Sequence, residues 1–271
     1  MAAKSGKVKN DKQTEASEQR STLGKIAALF IFILVAILMV NSLGTKSDIF
    51  VSGKWRYRMT VTVETPEGIK TGSAVREIRV EKGLNLLPEM GASIELTGEA
   101  VVVDLGKRGI LFGLIDGDRA SDIVFDAFPL KDVAPLSAEG IRYYSALKNA
   151  KVVLQPEKYP TFVKFRELND PKSVEEVQSK IRAGLNQSQN LPPPASSIEK
   201  AFGEGVAIKQ VTIEMIEDSP KKTVGKFLAW LPDYYGKMLD GRRYNSIEAE
   251  NKLANRLSSG AFSTGDIENE R

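Results

Sequence analysis

Ten residues, WRYRMTVTVE from Trp55 to Glu64, alternate between two kinds of side chain without a break. Trp55, Tyr57, Met59, Val61 and Val63 fall on one side; Arg56, Arg58, Thr60, Thr62 and Glu64 fall on the other. A period of two puts successive side chains on opposite faces of a β-strand. The segment therefore predicts an antiparallel strand with one face buried and one in water. Such a strand needs neighbours to pair with and a second layer to cover its apolar face. The next four residues, TPEG at 65–68, read as a turn with proline at its second position. Residues 73–81 alternate again, with Ala74, Arg76, Ile78 and Val80 opposing Val75, Glu77, Arg79 and Glu81. The two runs predict a hairpin.

A second hairpin is predicted over residues 100–105 and 110–115, turning at 106–109. These runs are more continuously apolar and read as central strands. Residues 123–128 read as a short strand, 138–149 as a helix, and 151–154 and 161–165 as strands. Ser173 to Glu176, SVEE, has the form of a capping box that opens a short helix. Residues 184–197 form a polar, proline-bearing loop. An alternating strand follows over 206–216, then a helix over 223–231 and a polar helix over 246–257. The end of the chain is expected to fray. The fold class so predicted is α+β: a β-rich, mainly antiparallel domain over 46–245 with a few short helices, and a polar helix and tail over 246–271.

Ahead of this domain stands a different signal. Residues 26–40 are 15 consecutive apolar residues. Widened to 23–43, the segment is 21 residues long, which as a helix rises about 31 Å, enough for a hydrocarbon core of about 30 Å. Its leucine, isoleucine, phenylalanine and valine residues favour insertion by roughly 3–7 kcal/mol. The segment is apolar on all sides, unlike an amphipathic surface helix. It predicts a single-pass transmembrane helix, a signal-anchor, with the bilayer as its partner. A cleaved signal peptide is the rival, with Ser42 and Gly44 as the small residues of a cleavage site. Residues 1–22 read as a disordered charged tail. A short charged leader before a large domain predicts a cytoplasmic amino terminus, the inner membrane as location, and an extracytoplasmic domain.

Charge narrows the function. Residues 1–25 carry Lys4, Lys7, Lys9, Lys12, Arg20 and Lys25 against Asp11, Glu15 and Glu18, which accounts for the entire net charge of +3. The rest is neutral overall, so no nucleic-acid partner is expected. Cysteine and histidine are both absent. That removes thiolate and imidazole catalysis, disulfides and the usual zinc ligands. No cofactor is predicted.

Three segments, YRMTVTVETPEG, FGEGVAIKQVTIEM and FLAWLP, resemble a group of uncharacterised bacterial proteins that carry an N-terminal anchor and a β-rich domain. The resemblance covers scattered parts of the chain. It implies that architecture and no activity.

Two sets of residues are candidate sites. Trp230, Tyr234 and Tyr235 form an aromatic cluster beside Pro232 and Gly236, suited to anchoring a partner or stacking on a sugar. Capping the core is the alternative reading of the same cluster. Asp116, Asp118 and Asp122 place three carboxylates in a short loop, as a divalent metal site requires, although Ala120, Ser121 and Ala127 depart from an EF-hand. A solvated turn is the plainer account. Ser145-Ala-Leu-Lys148 matches S-x-x-K, but KTG at 70–72 precedes it and no S-D-N is present. The expectation is a membrane-anchored envelope protein whose β-rich domain binds a protein or polymer without catalysis. A carboxylate- or metal-dependent hydrolase and a secreted ligand-binding protein are the alternatives.

Overall fold

The computed structural model describes residues 29, 31–35, 50–83, 92–115, 122–178 and 195–264. The chain divides into two units, Met1–Phe50 and Val51–Arg271. In the first, Leu29 and residues 31–35 are helical with exposed side chains. The expectation of a transmembrane helix over 23–43 is corrected here. Among the described residues no helix is long and apolar enough to cross a membrane.

The second unit is β-rich, with two antiparallel sheets and few helices. The predicted hairpin opens it. Strand β1 (Val51–Thr65) pairs along its whole length with β2 (Gly68–Lys82), and the turn closes at Thr65 opposite Gly68. Thr65 Oγ1 donates to the Gly68 carbonyl at 2.8 Å. Gly68 takes a φ of 118°, a conformation that favours glycine. The odd-numbered side chains of β1 are buried, as the alternation requires. Each fully buried Met or Val contributes roughly 1.5–3 kcal/mol.

Strand β3 (Ser93–Glu99) pairs with β2, and β9 (Ala207–Ile216) pairs with the other edge of β1. β6 (Lys151–Val153) and β10 (Ser263–Thr264) complete a six-stranded sheet in the order β10-β3-β2-β1-β9-β6. A second sheet has the order β4-β5-β7-β8, from β4 (Val101–Asp104), β5 (Ile110–Gly113), β7 (Phe162–Phe165) and β8 (Val174–Gln178). One face of this sheet sends Val101, Val103, Leu111 and Phe162 into a core shared with Trp55, Tyr57 and Met59. The other sends Phe112, Val163 and Phe165 into a second core with Val224, Leu228, Trp230, Leu239 and Phe262 of the C-terminal region. Both faces are covered, which accounts for the continuously apolar runs. β4 is nonetheless an edge strand; it is the sheet, not the strand, that is central.

Three segments fold otherwise than their local pattern predicts. Residues expected as a strand over 123–128 form helix α1 (Asp122–Ala127), because Ile123, Val124 and Ala127 all turn to the first core at helical spacing. The capping box at Ser173 does not start a helix. Ser173 Oγ is held by the chain behind it, 2.9 Å from the Glu167 carbonyl and 2.7 Å from that of Asp170, and residues onward pair as β8 with β7. The expected helix over 223–231 is a 3-10 turn, Val224–Lys226, with a second at Leu231–Tyr234. Helices α2 (Ala138–Ala146) and α3 (Ala195–Phe202) lay Ile141, Tyr144, Ile198 and Phe202 against the first core. A short α4 (Lys252–Arg256) falls within the predicted polar helix. The tail does not fray before Thr264: Phe262 is fully buried, and its carbonyl accepts from Ala100 N at 2.7 Å.

At the hairpin tip Glu67 meets Arg108 in a two-pronged ion pair, 2.9 Å from Nε and 2.8 Å from Nη2. The Arg108 hydrogen bond holds the Glu67 carboxyl down to about 2 from its usual 4.5. A depressed carboxyl contributes stability that is present above its unfolded value and lost as pH falls through its folded value. We therefore expect Glu67→Gln to leave a shallower loss of stability than the parent between pH 4.5 and about 2. Urea unfolding at a series of pH values checks this; parallel acid limbs would refute it.

Candidate functional site

β9 ends at Ile216, opposite Arg56, whereas β1 begins five residues earlier at Val51. Among the described residues, positions 51–55 of β1 therefore pair with β2 alone. Helix α2 lies across this end of β1. Gly53 permits the approach: a Cβ there would sit 2.5 Å from both Ile141 Cγ2 and Ser145 Oγ. After α2 the chain turns at Asn149, whose φ is 55°, and enters β6. A groove of about 360 Å³ lies at this end of the sheet. Its walls are Lys54, Trp55 and Arg56 from β1, Ser145, Leu147, Lys148 and Asn149 from the end of α2, and Met215, Ile216 and Glu217 from the end of β9.

Trp55 is the unusual member. Its ring packs against both Phe125 and Tyr144, with centroids 6.2 and 5.6 Å away, and only 4% of the residue is exposed. Its indole Nε1–H has no hydrogen-bond partner, and among the described residues no other buried side-chain nitrogen or oxygen is in that position. Leaving a buried donor unsatisfied costs about 1–3 kcal/mol; the atom itself has no exposed surface, so this is a cost borne inside the core.

The rim is charged. Lys148 Nζ lies 2.7 Å from Glu217 Oε1; their hydrogen bond raises the Lys148 ammonium and lowers the Glu217 carboxyl. Arg56 donates through Nη1 to the Glu217 carbonyl at 2.6 Å and through Nε to Glu77. Lys54 is held loosely, 3.9 Å from Glu77 Oε2, with half its side chain exposed. Ser145 and Lys148 of the S-x-x-K match both line the groove, but they are not a nucleophile and its base. Ser145 Oγ donates to Ile141 O at 2.7 Å, and Glu217 keeps Lys148 in its charged form.

The aromatic cluster is divided by the fold. Trp230 belongs to the second core, with Nε1 donating to Leu168 O at 2.8 Å and its ring against Phe165, Phe262 and Tyr234. Tyr234 is partly buried beneath Lys237, and Tyr235 is 57% exposed. Asp116 and Asp118 lie outside the described residues, and Asp122 opens α1. Among the described residues, no group of three His, Cys, Asp or Glu is placed to hold a metal ion.

Lys54, Trp55 and Asn149 carry no sequence signal of a site. The alternation sends Trp55 to the core, where it is. No family model, no curated protein and no solved structure matches this chain.

Proposed function

We propose that the protein is a non-enzymatic binding module that engages another protein or a polymer chain through the groove between β1, the end of β9 and the end of α2. The observation that carries this reading is the open groove of about 360 Å³ whose walls carry Lys54, Arg56 and Lys148. The strand edge at residues 51–55 and the loosely held Lys54 support it, since both offer further hydrogen bonds to an incoming group. The groove holds donors and positive charge, and the carboxylate in its wall, Glu217, is engaged by Lys148.

A photo-crosslinking residue placed at Asn149, in the groove, and separately at the exposed Thr71 of β2 tests the reading in intact cells. A discrete adduct is expected from position 149, absent from position 71, and abolished by Lys54→Glu. Lys54 is half exposed but faces Glu77 at 3.9 Å, so urea unfolding of the Lys54→Glu variant accompanies the crosslinking to show that it is folded. The same adducts from both positions, or an adduct indifferent to Lys54→Glu, would overturn the proposal.

A further inference from the structure

The main chain of β1 beside the groove points to one kind of partner; this inference rests on the binding role proposed for the same groove. Met215 N donates to the Ala150 carbonyl and Leu154 N to that of Val211, each at 2.8 Å. Odd-numbered residues of β9 therefore turn their N–H and C=O toward β6, and even-numbered ones turn theirs toward β1. In the β1–β9 register Thr60 faces Thr212, Arg58 faces Glu214 and Arg56 faces Ile216. Even-numbered residues of β1 thus direct their main-chain groups toward β9. The same alternation points the N–H and C=O of Ser52 and Lys54 to a side where, among the described residues, no strand pairs.

β9 does not go on to meet them. Two residues further in register, Asp218 would stand opposite Lys54. Instead its carboxylate turns back to Arg58 at 2.6 Å, and the Glu217 carbonyl accepts from Arg56 Nη1 at 2.6 Å. The groove lies beside this edge, with Lys54, Trp55 and Arg56 in one wall and Leu147, Lys148 and Asn149 in another. An unpaired strand edge presents donors and acceptors at the spacing of a polypeptide.

We infer that the groove takes an extended polypeptide segment, which pairs through its main chain with Ser52 and Lys54 as an added strand. The partner is then a protein rather than a saccharide polymer, which has no alternating N–H and C=O to offer.

The test uses the full chain labelled with ¹⁵N and random octapeptides displayed on phage, selected on the parent and counter-selected on Ser52→Pro. Proline removes the Ser52 N–H, which faces away from β2, and so spares the β1–β2 ladder. Urea unfolding shows whether this variant folds; if it does not, selection runs on the parent alone and the resonances decide. Synthetic copies of the enriched peptides are expected to move the Ser52 and Lys54 amide resonances downfield and saturably. Those of Arg58 and Thr60, which face β9, are expected to stay in place. N-methylation along the peptide is expected to weaken binding about tenfold or more at alternate positions only. Failure to enrich any peptide overturns the inference, as do unmoved Ser52 and Lys54 amides or N-methylation effects without a period of two. If it fails while a groove-specific crosslink at position 149 persists, the binding role stands and only strand addition is wrong. If peptides pair with Ser52 and Lys54 but no crosslink forms at position 149, the edge site stands and the cellular partner at the groove is wrong.

Discussion

Arg76→Met is expected to destabilise the protein by about 3–5 kcal/mol, although methionine has nearly the right length and no charge to bury. Arg76 is 1% exposed and carries its guanidinium from the inner face of the first sheet to the second. Nε donates to the Glu99 carbonyl at 3.0 Å, and Nη2 to the carbonyls of Gly113 and Leu114 at 3.2 and 3.3 Å. Gly98, opposite Arg76 in the β2–β3 register, makes room for it: a Cβ there would lie 2.7 Å from Arg76 Cγ. The Glu99 carboxylate is itself 4% exposed and accepts from the backbone amides of Thr223 and Val224, the start of the C-terminal layer. Methionine would remove the donors from three buried carbonyls, at about 1–3 kcal/mol for each group left unsatisfied. Urea unfolding measures the change. A variant within about 0.5 kcal/mol of the parent would show that apolar contact alone sustains this junction.

Gly72→Ala is expected to cost about 3 kcal/mol, at the upper end for overpacking. Gly72 sits on β2 opposite Val61, at a close approach to β4. A Cβ at this position would fall 1.9 Å from the Val102 carbonyl oxygen and 3.0 Å from Val103 Cγ2. The first of these is backbone within a paired strand, so relief requires the sheets to separate rather than a rotamer to change. Gly225→Ala is the matched control, since a Cβ there meets nothing within 4 Å. Its expected effect is within about 0.5 kcal/mol of zero. Equal losses for the two substitutions would contradict a close contact between the sheets at Gly72.

Arg76 shows how far local pattern reaches. The alternation of residues 73–81 already puts it in the set with Ala74, Ile78 and Val80, and so on the buried face. What receives its guanidinium lies 23 to 38 residues further on, in carbonyls that no local pattern connects to it. Phe262 makes the same point from the other direction. It stands as a lone aromatic in a polar tail, without periodicity to mark it. Yet it fills the second core between Phe112, Phe165 and Trp230. The segments around Ile123 and Ser173 are ambiguous for a related reason. Short apolar or capping patterns fit helix and strand alike, and the neighbour that covers them makes the choice.

The candidate site was less legible than the fold. Trp230 and Trp55 are both tryptophans at core positions. One has its N–H satisfied by a carbonyl and the other does not, a difference set by chain segments distant in sequence. Sequence by itself determined the β1–β2 hairpin, its turn and its buried face, because a period of two is a property of neighbouring residues. It also excluded cysteine and histidine chemistry. Tertiary structure decided that the second sheet is covered on both sides and that the tail closes the second core. It also decided that a groove opens beside Trp55. The physical reason is that β9 stops at Ile216 while β1 continues, and α2 crosses the uncovered end at Gly53.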